Sequence, residues 1–316
     1  MYHKKTFQEK IAISRWSLPV MAVVAILIWV FTGLNDYSML PSLGMMIVAA
    51  YFMVELNNSF SLIRIYSRMV SCSFIVLTTA AMPLFKDLHV PVVTLCLVLF
   101  YMFSFQCYQG QTRSVPGKIF MAFVFMSLAS VFWSQVLYFV PVMWILITFN
   151  LQTMSARAFV ASLLGLLLPY WFLAGYYAAT GQMQIFADHF IQLATFQPLL
   201  HYESLGAGHV AVLLFFVVAA LLGGTHFMLT SFNDRIRTRM FYYIFITTDM
   251  LALVFLLLQP VHFNMLIGVM AVNTSPLIGH FIALTRSKLT NIITIALMVI
   301  ALLLVFYNVW LPSMTF

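Results

Sequence analysis

The sequence predicts an all-α fold, a polytopic bundle of transmembrane helices. Three observations predict it. Of 316 residues, 63% are hydrophobic and only 7% are charged, whereas soluble domains carry about 25% charged residues. The mean hydropathy is +1.01. The apolar residues come in continuous runs rather than in alternation, which argues for helices and against a membrane barrel. A chain this apolar needs lipid as its solvent, and in lipid every backbone polar group must be satisfied inside the fold.

The first seventeen residues, MYHKKTFQEKIAISRWS, are basic and lead into an apolar run. A signal peptide would begin this way, but no small-residue cleavage site follows. After Phe31 come Thr32, Gly33, Leu34, Asn35 and Asp36. Residues 1–16 are therefore expected to be a cytoplasmic tail and the first run an uncleaved span.

A hydrocarbon core about 30 Å thick takes roughly 20 apolar residues per helix. On that measure spans are expected near 17–34, 39–56, 69–85, 91–108, 118–133, 136–150, 158–178, 209–228, 240–259, 264–284 and 289–310. Together they form one integral membrane domain over 1–316 with about eleven spans. The fifth and sixth are short and separated only by Trp133, Ser134 and Gln135, so 118–150 also reads as a bent helix or a re-entrant hairpin.

Charge placement orients the bundle, because Lys and Arg collect on the cytoplasmic side. With the N-terminus inside, the inner ends hold Lys4, Lys5, Lys10, Arg15, Arg64, Arg68, Arg113, Lys118, Arg157, Arg235, Arg237, Arg239, Arg286 and Lys288. Of fifteen cations, Lys86 alone falls outside. Fusing the fifth and sixth spans would scramble every later loop. The map therefore places the N-terminus inside and the C-terminus outside. The net charge of +7 then faces an anionic inner leaflet. Basic residues spread over six short loops do not make a nucleic-acid surface.

The outer side carries Asp36, Asp87, Asp188 and Glu203, with His89, His189, His201, His209 and His262. The longest connection, 179–208, holds the densest group: Asp188, His189, His201 and Glu203. These four, with Asp36 in the first outer loop, are the candidate catalytic residues. Acids and histidines also gather outside for topological reasons alone. His189 and His201 are twelve apart and no HExxH or HxxxH occurs, so no metal and no cofactor is expected. Within the loop, Phe186, Phe190, Leu193 and Ala194 follow helical spacing. They predict a helix over 184–197 lying in the outer interface, with Asp188 and His189 at the rim of a cleft between the seventh and eighth spans.

At membrane depth Asp249 is the clearest ionisable group, in ITTDMLALV. A carboxyl there is a functional candidate by default. The structural alternative is a neutral carboxyl bonded to Thr247, Thr248 or a neighbouring helix. Pro83, Pro141, Pro169 and Pro276 interrupt spans, and AVNTSP over 271–276 is the most polar break. It makes Asn273 a second polar candidate at membrane depth. His226 and His280 are expected at the cytoplasmic interface. Glu55 is too far from Arg64 along a helix to pair with it, so Asn58 or another span is expected as its partner. Cys72, Cys96 and Cys107 are odd in number and lie in apolar runs, which predicts free, buried thiols.

VELNNSFSLIRIYSR (54–68), ARAFVASLLGLLLPYWFLAGYY (156–177) and NTSPLIGHFIALTRSK (273–288) together resemble an uncharacterised family of polytopic inner-membrane proteins of Gram-negative bacteria. Some members carry an automatic label of carotene monooxygenase. The resemblance implies a bacterial inner (cytoplasmic) membrane location, and the label implies a His-ligated iron in or near the membrane. Two function classes follow from the residues. The first is a transporter-like protein or scaffold subunit handling an apolar or lipid-linked envelope component, with the bilayer and other envelope membrane proteins as partners. The second is an enzyme at the outer face, metal-dependent and glycosyltransferase-like, or, as the family's label implies, carotene-oxygenase-like. The outer side offers only Lys86 to meet a pyrophosphate, which favours the first.

Overall fold

The computed structural model describes residues 6–34, 37, 39–110, 114–195 and 205–314, with the backbone alone from 309 onward. Its elements are helices, and no strand occurs among the described residues. They are α1 (Phe7–Ile13), α2 (Ser17–Gly33), α3 (Met39–Phe60), α4 (Met69–Ala80), α5 (His89–Phe105), α6 (Val115–Phe132), α7 (Val140–Leu146), α8 (Ala156–Ala179), α9 (Met183–Ala194), α10 (Ala207–Thr230), α11 (Ile236–Leu258), α12 (Phe263–Leu284) and α13 (Lys288–Met314). Eight segments are long and apolar enough to cross a bilayer, and a ninth is added if α1 and α2, bent by 93°, are one span. α4 and α5 are apolar but shorter. Large apolar side chains point outward all round the bundle, among them Leu27, Leu167, Leu229 and Leu302. An apolar belt on that scale needs lipid against it.

Prolines explain the irregular pieces. α4 stops at Ala80 and a 3-10 turn runs from Met82 to Phe85 with Pro83 in its first turn. The segment expected as the sixth span is built in three parts. A 3-10 stretch from Ser134 to Phe139 leads into α7, which has Pro141 in its first turn, and a π turn follows from Ile147 to Leu151. Together Ser134–Leu151 makes an apolar segment of 18 residues, as long as α6. Trp133, with φ −148° and ψ 97°, is the extended residue between them. Two full-length segments therefore occupy the stretch read alternatively as one bent helix.

α12 is the axis. Its apolar window is 89% buried, against 17% for α8, and α1, α4, α5, α10 and α11 pack around it. Helices in lipid gain little from hydrophobic burial and associate by close packing of small residues. A Cβ on Gly223 of α10 would lie 2.6 Å from the Leu277 carbonyl carbon, and one on Gly279 would lie 2.8 Å from the Val70 nitrogen. Glycine at these points lets α10 and α4 reach the α12 backbone. Farther out, α3 packs on α5 and α4, α2 and α13 flank α4, and α8 packs on α6 and carries α9.

The connections form two groups. At one end Gln8 binds the 282–291 turn, Arg64 reaches the Asn233 carbonyl, Arg237 reaches the Phe60 carbonyl, and Gln109 meets Gln152. At the other end Trp29 meets Phe85, His89 meets Phe132, Trp133 meets His262 and His209 meets Phe263.

Candidate functional site

Two polar regions stand out. The first is a buried seam along α12, which the helix period creates. Asn273 and His280 are seven residues apart, two turns, and share a face. Asn273 accepts a 2.7 Å hydrogen bond from the Tyr101 hydroxyl of α5 and donates 2.9 Å to the Val269 carbonyl. Beside it, Thr274 donates to Asp249 Oδ2 of α11 at 2.9 Å, while Asp249 Oδ1 has no hydrogen-bond partner. One turn on, Pro276 lacks the N–H that would bind the Val272 carbonyl. Ser275 supplies a 3.1 Å hydroxyl donor to that carbonyl, and Tyr242 of α11 donates to the Pro276 carbonyl at 3.2 Å.

The seam ends at His280, whose Nε2 lies 3.0 Å from Asp234 Oδ2 with both side chains almost wholly buried. His280 Nδ1 is buried without a partner. His226 of α10 stacks near it, ring centroids 5.5 Å apart, with Phe227 and Tyr242 completing the pocket. His280 is therefore not at the interface, as its position near a span end suggested. Gly279 draws α4 over it and the Asp234 carboxylate compensates its burial. His226 is only half-buried. On the exposed side of this pair, Arg64, Arg235, Asn57, Asn58 and Tyr66 line a polar cavity of about 390 Å³.

Asp249 and Asn273 thus lie on adjoining parts of one seam. The Asp249 partner is Thr274 of the neighbouring helix, not Thr247 or Thr248 of its own. Glu55 accepts from Ser59 at 2.6 Å, one turn along its own helix, rather than from Asn58 or another span. Asp234, Thr274 and Tyr101 were not singled out from the sequence, and His280 was read there only as an interfacial residue. A signal for Asp234 was present, as an acid set among Arg235, Arg237 and Arg239. Cys72, Cys96 and Cys107 are free and buried.

The second region is the cavity beside α9, on the side that the sequence reads as outer. α9 runs from Met183 to Ala194 and ends at Thr195; residues 196 and 197 of the expected helix lie outside the described residues. Its face of Phe186 and Phe190 packs on Tyr170 of α8, with ring centroids 6.4 and 5.0 Å away. Tyr138 donates a hydrogen bond to the Leu193 carbonyl, which ties the end of α9 to the 3-10 stretch. Met183, Ile185 and Ile191 stay exposed, as expected of an interfacial helix. His189 Nε2 lies 3.3 Å from the Tyr170 hydroxyl, which lies 2.7 Å from Ser130 Oγ. Burial pulls the His189 pKa below the ordinary imidazole value, and a hydrogen bond to Ser130 opposes this.

Asp188, His189 and Gln192 of α9 face Trp133, Gln135 and His262 across a cavity of about 640 Å³. It lies between α9 and the α6 break, not between α8 and α10 where the sequence placed the cleft, because Tyr138 and Tyr170 draw α9 toward that break. Asp188 accepts from Gln184 at 3.0 Å, and Trp133 Nε1 donates to His262 Nδ1 at 3.3 Å. Among the described residues no Lys or Arg lines this cavity. Among the described residues no three His, Cys, Asp or Glu side chains are grouped to hold a metal ion. Asp36, His201 and Glu203 lie outside the described residues. No protein-family model, curated protein or solved structure matches the chain.

Proposed function

We propose that the protein is a transporter-like carrier of an apolar or lipid-linked envelope component in a bacterial inner membrane. The observation that carries this reading is the Asp249–Thr274 contact on the α12 seam. A carboxyl at membrane depth costs several kcal/mol unless compensated, and one oxygen of this carboxyl has no partner. It sits beside Pro276, where the continuous helix α12 lacks one backbone hydrogen bond, so a titratable group adjoins the point at which the central helix is easiest to bend. The topology that goes with the reading has eleven spans, N-terminus inside and C-terminus outside. It is supported by the fourteen-to-one partition of Lys and Arg and by the two groups of connections at opposite ends of the bundle. The α4 segment with its 3-10 turn brings Phe85 to the level of Trp29, which fits a crossing by that short segment.

The test is lipid movement in proteoliposomes. Fluorescent phospholipid and fluorescent polyprenyl phosphate are placed in the inner leaflet, and their exposure to an external quencher is followed. The wild-type protein is expected to speed exposure of at least one of them. Asp249→Asn, which keeps the shape and loses the titrating proton, is expected to stop it. Rates equal to those of protein-free vesicles for both lipids would overturn the carrier reading.

One observation favours a second reading, an enzyme at the outer face: Asp188, His189 and His262 share one cavity. That reading requires Asp188 or His189 to be individually indispensable. Among the described residues no cation lines that cavity, which counts against a pyrophosphate-bearing substrate.

A further inference from the structure

A deep apolar recess is separate from the α12 seam and from the outer cavity. It is a groove of about 480 Å³ walled by α2, α4, α10, α12 and α13, with Met21, Ser73, Ala219, Ile278 and Leu297 among its lining. This volume lies in the usual range of small-molecule pockets, roughly 300–1,000 Å³. The groove penetrates to Ile278 on the central helix, so it is deeper than the shallow furrows between lipid-facing helices. A second apolar recess of about 140 Å³ continues it along α2 and shares Met21, Val76 and Met298 with it.

Length and charge give the occupant. Along α2 the two recesses run from Ser17 to Ile28, about 16 Å at 1.5 Å per residue. That is close to half of the ~30 Å hydrocarbon core, the depth of one leaflet. The end at Ser17 is bordered by α1, whose Phe7, Lys10 and Ile11 line the groove. α1 is strapped in place by Gln8, which donates from its backbone to Asn291 and from its side chain to the Ile282 carbonyl and the Thr285 hydroxyl. Lys10 is exposed at this mouth, and Arg15 is exposed beside it. The one nearby acid, Glu9, faces Arg286 at 3.9 Å. Inside, the buried Ser73 hydroxyl has no hydrogen-bond partner. An apolar recess left empty forfeits the dispersion contacts of its walls, and the filler at hand in a bilayer is an acyl chain.

We infer that the α1–α2–α4–α13 groove is a binding site for an anionic phospholipid, with one acyl chain lying along α2 and the headgroup phosphate at Lys10. The site does not depend on the carrier reading. The cation selects the negative headgroup and the depth of the groove retains the chain.

The experiment is native mass spectrometry of the full-length protein released from nanodiscs of equal phosphatidylglycerol and phosphatidylcholine. The wild-type protein is expected to retain phosphatidylglycerol in at least fivefold preference. Lys10→Glu is expected to abolish the preference while leaving some lipid bound. Met298→Trp, which fills the groove from its rim, is expected to remove the retained lipid altogether with the melting temperature unchanged. If Met298→Trp does not fold, a phosphatidylglycerol carrying a diazirine on its acyl chain is used on the wild-type protein instead. Crosslinks on α4 and α13 facing the groove support the site, and crosslinks scattered over the outer belt overturn it. Unchanged retention in both variants also overturns it. Retained lipid with no lipid movement in proteoliposomes would keep this site and refute the carrier reading.

Discussion

Replacing Asp249 by leucine should not weaken the bundle. In the native protein the carboxyl makes one hydrogen bond, from Thr274 at 2.9 Å, and leaves Oδ1 unpartnered at a position 1% exposed. Hydrogen bonds between membrane helices average about 0.6 kcal/mol and reach about 1.7. Leaving a buried polar atom unsatisfied costs about 1–3 kcal/mol. Asp249→Leu gives up the first and removes the second, so the net lies between near balance and about 2 kcal/mol of stabilisation, in line with other buried charges replaced by apolar groups. Thr274→Val should cost more than Asp249→Leu, because it strips the carboxyl of its remaining partner. In the double variant that cost should vanish, giving a coupling of about 0.6–1.7 kcal/mol. The assay is reversible unfolding in bicelles for the four members of the cycle. A loss above about 2 kcal/mol in Asp249→Leu, or no coupling with Thr274, would refute the account. Asp249→Asn isolates function from stability, since it should fold as the wild type does and move no lipid.

Three further outcomes are expected. A periplasmic reporter fused after Glu203 should be active and one after Arg239 silent, and activity after Arg239 would break the topology. Gly279→Ala should lose about 1–3 kcal/mol, because its Cβ would lie 2.8 Å from the Val70 nitrogen, whereas Gly224→Ala, with nothing within 4 Å, should be neutral or gain up to about 1 kcal/mol. Equal melting temperatures for the two variants would refute the close-packing argument. Because the native His189 pKa is lowered, the undocked state binds more protons, so α9 docking is intact above the ordinary imidazole range, about 6.5, and weakens as pH falls below it. Hydrogen exchange across 183–194, corrected for intrinsic rates, should rise at pH 5 in the wild type and not in His189→Gln. Asp188, His262 and Tyr170 are the other titratable groups facing that ring, so a rise that persists in His189→Gln would assign the effect to one of them.

Helices were readable wherever one local rule decides them. Apolar run length located every long segment, and Trp133–Gln135 marked the break between α6 and the 3-10 stretch. The aromatic stripe of α9 was visible at Phe186 and Phe190 for the same reason. Its docking was not, because it depends on Tyr138 and Tyr170, which are 55 and 19 residues from their partners in sequence. The outer cavity shows the same division. Asp188 and His189 stood out by density, while His262 joins them only through the fold. Asp36, His201 and Glu203 fall outside the described residues.

His280 shows why proximity to a span end is a weak guide to exposure. Its position on α12 is only four residues from Leu284, yet α12 is enclosed by five helices and Gly279 admits α4 beside it. An imidazole enclosed in this way needs a polar partner, and Asp234 from the α10–α11 connection supplies it. That pairing gives the seam a polar end near Arg64 and Arg235, while Asp249 and Asn273 lie two turns deeper. Along the continuous helix α12, Ser275 and Pro276, where one backbone hydrogen bond is missing, lie between these two parts. A movement about Pro276 would therefore change the distance between the buried carboxyl and the exposed polar cavity, and it would carry the Gly223–Leu277 and Gly279–Val70 contacts of α12 with it. This is the property a carrier needs and a rigid scaffold does not, and the Asp249→Asn lipid-movement assay distinguishes them.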